Sequence, residues 1–305
     1  MKSSARLHFP PIRWHGQEKR LWNRVWRRSC KDLPEERVRL RFLDWLLLQH
    51  EWPPGHIASE RSLSSGHAQR TDLLCHDEEG NPSWLIECKA PSVRIGESAS
   101  LQIAQYNRIV QAPVLCLTNG VSDYWYRTDG DRLDALDAPP IAETLPIEAI
   151  RQSTSYWVDR GFLGHKSSEA LQEALTGLCR QLYDPSHADS IFYLEGTWRN
   201  DHLYLTHDYR SVPLSRRRLL AVAPLSDASG SSWISALHHE NGATNAMIQI
   251  PLDPETGVPS DTVHYHLTDR KGSVPRSSIL PDPLPLQADQ LIPALDQLIQ
   301  SLLTS

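Results

Sequence analysis

Cysteine is scarce in this chain, and the five present (Cys30, Cys75, Cys88, Cys116, Cys179) are scattered and odd in number. No C-x-x-C spacing occurs, which argues against a disulfide framework and against a structural zinc site. No apolar run approaches the length of a membrane span, and the opening MKSSARLHFPPIRWHG lacks the apolar segment of a signal peptide. A cytoplasmic protein that does not enter a membrane is therefore expected. Internal repeats are absent, and 40% apolar with 22% charged residues excludes a disordered or fibrous chain. A length of 305 residues points to two domains.

What is present begins with an uneven distribution of charge. The net charge is −6, yet residues 1–41 hold 12 Lys/Arg against 4 Asp/Glu, and residues 141–305 hold 12 against 19. Trp14, Trp22 and Trp26 interrupt the basic arm. Two readings stay open: a surface for a phosphate backbone with bases stacking on the tryptophans, or an amphipathic helix that buries them.

The segment KDLPEERVRLRFLDWLLLQH predicts a helix, with Asp32 and Glu35 as a capping box and Pro34 in its first turn. Val38, Phe42, Trp45 and Leu46 repeat at helical spacing, and Glu36 lies on the flank of that stripe. EWPPGH breaks the helix, and a short strand is expected over residues 57–63. QRTDLLCH (69–76) and SWLIECK (83–89) are apolar runs on either side of DEEGNP, a hairpin signal. A second helix at about 99–111 must end before Pro113. Asn119-Gly120 then separates PVLCLT from VSDYWYR, a further hairpin signature. Residues 1–140 thus read as one α/β domain. Residues 141–305 read as an α+β domain: a helix with Leu171, Leu175, Leu178 and Leu182 on one side, six short β runs, and a terminal helix interrupted by Pro293.

With its turn centred between Glu79 and Gly80, the 69–89 hairpin sets Asp72 opposite Glu87, with Cβ atoms about 5 Å apart. Lys89, two residues on, projects from the same face, while the Cys88 side chain faces the core and leaves its carbonyl available as a ligand. Buried carboxylates need compensation, and a divalent cation supplies it. Mg²⁺ on hard oxygens beside a lysine is what phosphodiester hydrolysis requires. An ordinary ion pair from Lys89 to Glu87 or Asp72 is the competing reading. Gln102 and Tyr106 share a helix face that can meet this site, and Glu36 offers a third carboxylate.

The segments LPEERVRLRFLDWLL, IASERSL, RTDLLCHDEEGNPSWLIECKAPSV, LQIAQYNRIVQAPVLCLTNG and VSDYWYR resemble, in the same order, the amino-terminal nuclease domain of type I restriction enzyme R proteins. The resemblance covers roughly residues 18–140. It implies a PD-(D/E)xK core, a mixed sheet flanked by helices, working with Mg²⁺ or Mn²⁺ on DNA. Asp72 and Glu87 match the metal-binding acids and Lys89 the catalytic lysine. Gln102 and Tyr106 match the Q-x-x-x-Y motif used near the nucleic acid. Glu36 resembles the acid of the first helix, and Glu60 falls on an acidic strand position. Thr71 stands where the family's Pro would be.

No G-x-x-x-x-G-K-[ST] occurs, so the translocating motor is not in this chain. The expectation is a Mg²⁺-dependent deoxyribonuclease of restriction, antiviral defence or repair, with Glu36, Asp72, Glu87 and Cys88 around the metal. The alternative is a non-catalytic module that binds nucleic acid or protein. The carboxy-terminal domain is expected to meet a protein partner, and the oligomeric state is open, a dimer included. His264/His266 and His238/His239 lack a completing ligand, and Arg216–Arg218 reads as a solvated loop.

Overall fold

The computed structural model describes residues 1–62, 70–129, 132–194, 206–280 and 283–305; of Glu60, Arg61, Ser62, Arg70 and Glu97 only the backbone is described. The chain divides into two compact units, Met1–His15 with Lys19–Ile150, and Gly16–Glu18 with Arg151–Ser305.

The basic arm is not a helix. It forms β1 (Ile12–His15), β2 (Glu18–Asn23) and β3 (Arg28–Cys30), a three-stranded sheet. Burial alternates along β2, with Leu21 and Asn23 inside, so the period of two wins over the helical one. Gly16, at φ +60°, lies between β1 and β2, and Asn23 Oδ1 accepts the Val25 and Trp26 N–H groups after β2.

Next comes α1 (Pro34–Gln49), capped by Leu33 without a side-chain hydrogen bond. The expected capping box does not form, because Asp32 is engaged by Arg37 at 2.7 Å and Lys19 at 3.5 Å. At its far end, buried His8 bonds Asp44 (3.3 Å) and Gln49 (2.6 Å), which ties α1 to the amino-terminal segment.

The sheet that follows is built from β4 (Ile57–Ser62), β5 (Arg70–His76), β6 (Pro82–Cys88), β7 (Val114–Thr118), β8 (Asp123–Asp129) and β9 (Arg132–Leu136), in that order. Only β6 and β7 are parallel, and α2 (Glu97–Val110) provides their crossover. The short α3 (Ile147–Ile150) ends the unit. One face packs on α1 through Leu73, Cys75, Trp84, Ile86, Cys88, Cys116 and Trp125; the other packs on α2 through Leu74, Leu85, Leu115 and Leu117. This is the mixed sheet flanked by helices that the sequence implied. Asn119-Gly120 does sit in the β7–β8 hairpin, as the start of a four-residue loop closed at Thr118↔Asp123. Gly120 is required there: its φ is +78° and a Cβ would meet Val38 of α1 at 3.0 Å.

In the second unit, α4 (Thr154–Val158) and α5 (Glu169–Leu182) precede seven antiparallel strands. These are β10 (Ile191–Leu194), β11 (His207–Pro213), β12 (Arg218–Ser226), β13 (Ser232–Glu240), β14 (Ala243–Pro251), β15 (Thr262–Leu267) and β16 (Lys271–Pro275), paired in chain order. Of the six β runs expected, at about 190–198, 202–207, 217–225, 232–238, 245–251 and 262–267, the second lies largely outside the described residues, and neither β11 beyond His207 nor β16 was expected. The terminal helix α6 (Ala288–Thr304) continues through Pro293 rather than breaking there. Leu171, Leu175, Leu178 and Leu182 of α5 and Leu291, Leu295, Leu298 and Leu302 of α6 are all buried. Among the described residues no helix is long and apolar enough to cross a membrane.

Candidate active site

The site is made where two strands part. Ladder pairs between β5 and β6 run from Cys75↔Trp84 to Leu73↔Ile86, and continuing that register by one residue sets Asp72 across from Glu87. Beyond that point β5 stays with β4 as far as Arg70, while β6 stays with β7 as far as Cys88. In the opening between them, Asp72 Oδ2 accepts the Cys88 N–H at 2.7 Å, a side chain standing in for the missing ladder bond. The turn itself is tighter than the sequence reading had it. Asp77 and Asn81 close it around Gly80 (φ +84°), and a bulge between Cys75 and His76 restores the register needed at the site.

Alternation along β6 puts Glu87 on the α2 face, and the Cys88 thiol, fully buried, on the α1 face. Burial pushes that thiol's pKa well up, so Cys88 offers the site its backbone alone. Lys89 Nζ donates to Glu87 Oε1 at 2.6 Å. Glu87 Oε2 is buried and has no hydrogen-bond partner among the described residues.

Charge is costly here. Burial, and then the charge of Asp72, push the Glu87 pKa up to about 7 despite its bond to Lys89. Burial also raises Asp72, against the opposing effects of the Cys88 N–H and Arg39. Burial acts to lower Lys89, yet the hydrogen bond and charge of Glu87 prevail and hold it protonated above its ordinary range.

Glu36 is buried on the first turn of α1, as expected, but it does not join Asp72 directly. Arg39 stands between them: its Nη2 pairs with Glu36 Oε2, and its Nη1 lies 3.6 Å from Asp72 Oδ1. Glu36 Oε1 is buried without a partner among the described residues. Sequence reasoning missed Arg39. Its i, i+3 spacing from Glu36 was visible, whereas its approach to β5 was not. Gln102 and Tyr106 lie half-buried on α2, joined by a 2.8 Å hydrogen bond from Gln102 Nε2 to Tyr106 Oη, and Tyr106 packs on the sheet face that carries Glu87. The Glu60 side chain lies outside the described residues.

The histidine pairs do not make a second centre. His264 bonds Ser273, His239 bonds Thr244, and buried His238 bonds Asn245 and Gln300. Arg218 approaches Asp296 at 3.8 Å.

Among the described residues no three His, Cys, Asp or Glu side chains converge as a metal cluster. Mg²⁺ needs fewer, since it usually keeps several waters and takes one or two carboxylates with substrate phosphates. Asp72 and Glu87, with an unpartnered buried oxygen on the latter, fit that requirement. Residues 34–140 match the family described as type I restriction enzyme R protein N terminus. No curated protein matches the chain.

Proposed function

We propose, with that family match as premise, that the chain is a divalent-cation-dependent deoxyribonuclease working in restriction, antiviral defence or repair. One observation carries the reading: two carboxylates from separate strands lie at a buried fork beside an ammonium, with Glu87 Oε2 unpartnered. Buried ion pairs add little net stability, so a structural role alone is a weak account of this one.

A bound Mg²⁺ or Mn²⁺ would neutralise charge on the scissile phosphate and acidify a water. In this reading Asp72, Glu87 and the Cys88 carbonyl hold the ion. Lys89, kept protonated by Glu87, orients the water and shares the charge developing on the phosphate. Gln102 and Tyr106 contact the nucleic acid over the α2 face. The second unit is an accessory module for a protein partner.

The wild type should cut linear or single-stranded DNA with Mg²⁺ or Mn²⁺ and stop in EDTA. Asp72→Asn, Glu87→Gln and Lys89→Ala should each slow cleavage by about 100-fold or more, read on a labelled strand. Undiminished cutting by Asp72→Asn would reject the reading. A second reading draws on Arg39. Its guanidinium and the Lys89 ammonium already compensate Glu36, Asp72 and Glu87, which suits a module that grips DNA without hydrolysing it. Salt-sensitive DNA binding by a wild type that cuts nothing would favour it.

A further inference from the structure

The turn between β2 and β3 reaches the candidate site through three contacts. Arg28 Cζ lies 4.0 Å from the centroid of the Trp26 ring, and Arg39 Cζ lies 6.0 Å from the same ring. Arg39 Nη1 then lies 3.6 Å from Asp72 Oδ1. The turn is held in shape from within, because buried Asn23 accepts two of its N–H groups. Its tip, Arg27, has φ +53° and is exposed, as is Arg28. An exposed basic tip is therefore linked, through Trp26 and Arg39, to the carboxylate of Asp72. Residues 1–41 concentrate 12 of the chain's 31 Lys/Arg; of these Arg28 is exposed and linked through Trp26 and Arg39 to Asp72, and Arg27 is exposed beside it in the chain.

We propose that Arg27 and Arg28 form a phosphate-gripping rim that lays a DNA strand onto the Asp72–Glu87 fork. The proposal rests on the nuclease reading for its purpose, though not for its test. A phosphodiester backbone is the partner that suits both halves: its charge complements the arginines, and its phosphates can bridge a cation held by acids. The Trp26 ring already carries Arg28, so the grip is on the backbone rather than by stacking on bases, and it should not depend on base sequence.

The test is fluorescence anisotropy of the full chain with a fluorescein-labelled DNA of about 30 nucleotides, single-stranded and as a duplex, in EDTA so that no cutting occurs. Arg27→Ala/Arg28→Ala should bind about 10-fold more weakly, and the slope of log affinity against log salt should flatten by about 2. Arg27→Lys/Arg28→Lys should restore most of the affinity, which separates lost charge from a damaged fold. The same loss of charge at exposed Arg127 and Arg132 should change affinity by less than about twofold. Wild-type affinity and slope in the double alanine variant would overturn the proposal. So would equal weakening by the Arg127/Arg132 pair, or a wild type that binds no DNA. A chain that cuts nothing yet loses affinity in the double variant rejects the nuclease reading and keeps this one. A chain that cuts DNA while the double variant binds normally does the reverse.

Discussion

Glu87 gives the site its pH signature. Its carboxyl, raised to about 7 from an ordinary 4.5, retains a proton in the folded chain where the unfolded chain has released it. The contribution of this carboxyl to the stability of the metal-free protein should therefore be greatest below about 4.5, fall as pH rises to about 7, and level off above it. The loss approaches about 3 kcal/mol for that displacement. Glu87→Gln removes the titration. Urea unfolding in EDTA should find this variant more stable than the wild type at pH 8 and similar near pH 4; parallel pH profiles would rule the account out. Asp72, Glu87 and Lys89 were readable from sequence because strand alternation assigns faces and a short turn assigns register. Arg39 was not, since which helix face meets β5 depends on packing between segments distant in the chain.

At the scale of elements, α1 is fixed to the site strand by aromatic rings. Trp84 of β6 lies 5.0 Å from Trp125, 5.1 Å from Trp52 and 6.3 Å from Trp45 of α1, centroid to centroid. Trp84→Ala should cost about 3–5 kcal/mol, measured by chemical denaturation, and should loosen the strand that carries Glu87. A cost under about 1 kcal/mol would mean that the cluster collapses to fill the space. The β5–β6 and β7–β8 hairpins were legible because their turn residues have few alternatives. The basic arm was not. Arginines and tryptophans in turn satisfy a two-residue and a helical period alike, and the choice fell to Leu21 and Asn23 seeking the interior. The capping box failed for an electrostatic reason: Asp32 had Arg37 and Lys19 within reach.

For the whole molecule, charge separation outweighs net charge. A chain at −6 would bind DNA poorly if its charges were mixed, yet residues 1–41 alone carry 12 basic against 4 acidic side chains. If three phosphates are neutralised there, affinity should fall about 40-fold between 50 and 200 mM salt, measured by filter binding. A flat salt response would place any DNA contact elsewhere. The second unit marks the limit of sequence reading at this scale. Most of its strands announce themselves one by one through apolar runs. That seven of them pair in simple chain order, with α5 and α6 packed on the sheet, follows from contacts between strands that no local pattern encodes.

Asp72 is held in place by two obligations. Its Oδ2 satisfies the Cys88 amide where β5 and β6 diverge, so the sheet would want an acceptor at that position even if no bond were ever hydrolysed. Selection for folding alone would therefore keep Asp or Asn there, whether or not the site hydrolyses a bond. Glu87 has no such second employment for its Oε2. If the proposed chemistry holds, position 87 should report a competent site across kindred chains more sensitively than position 72, which folding alone would conserve.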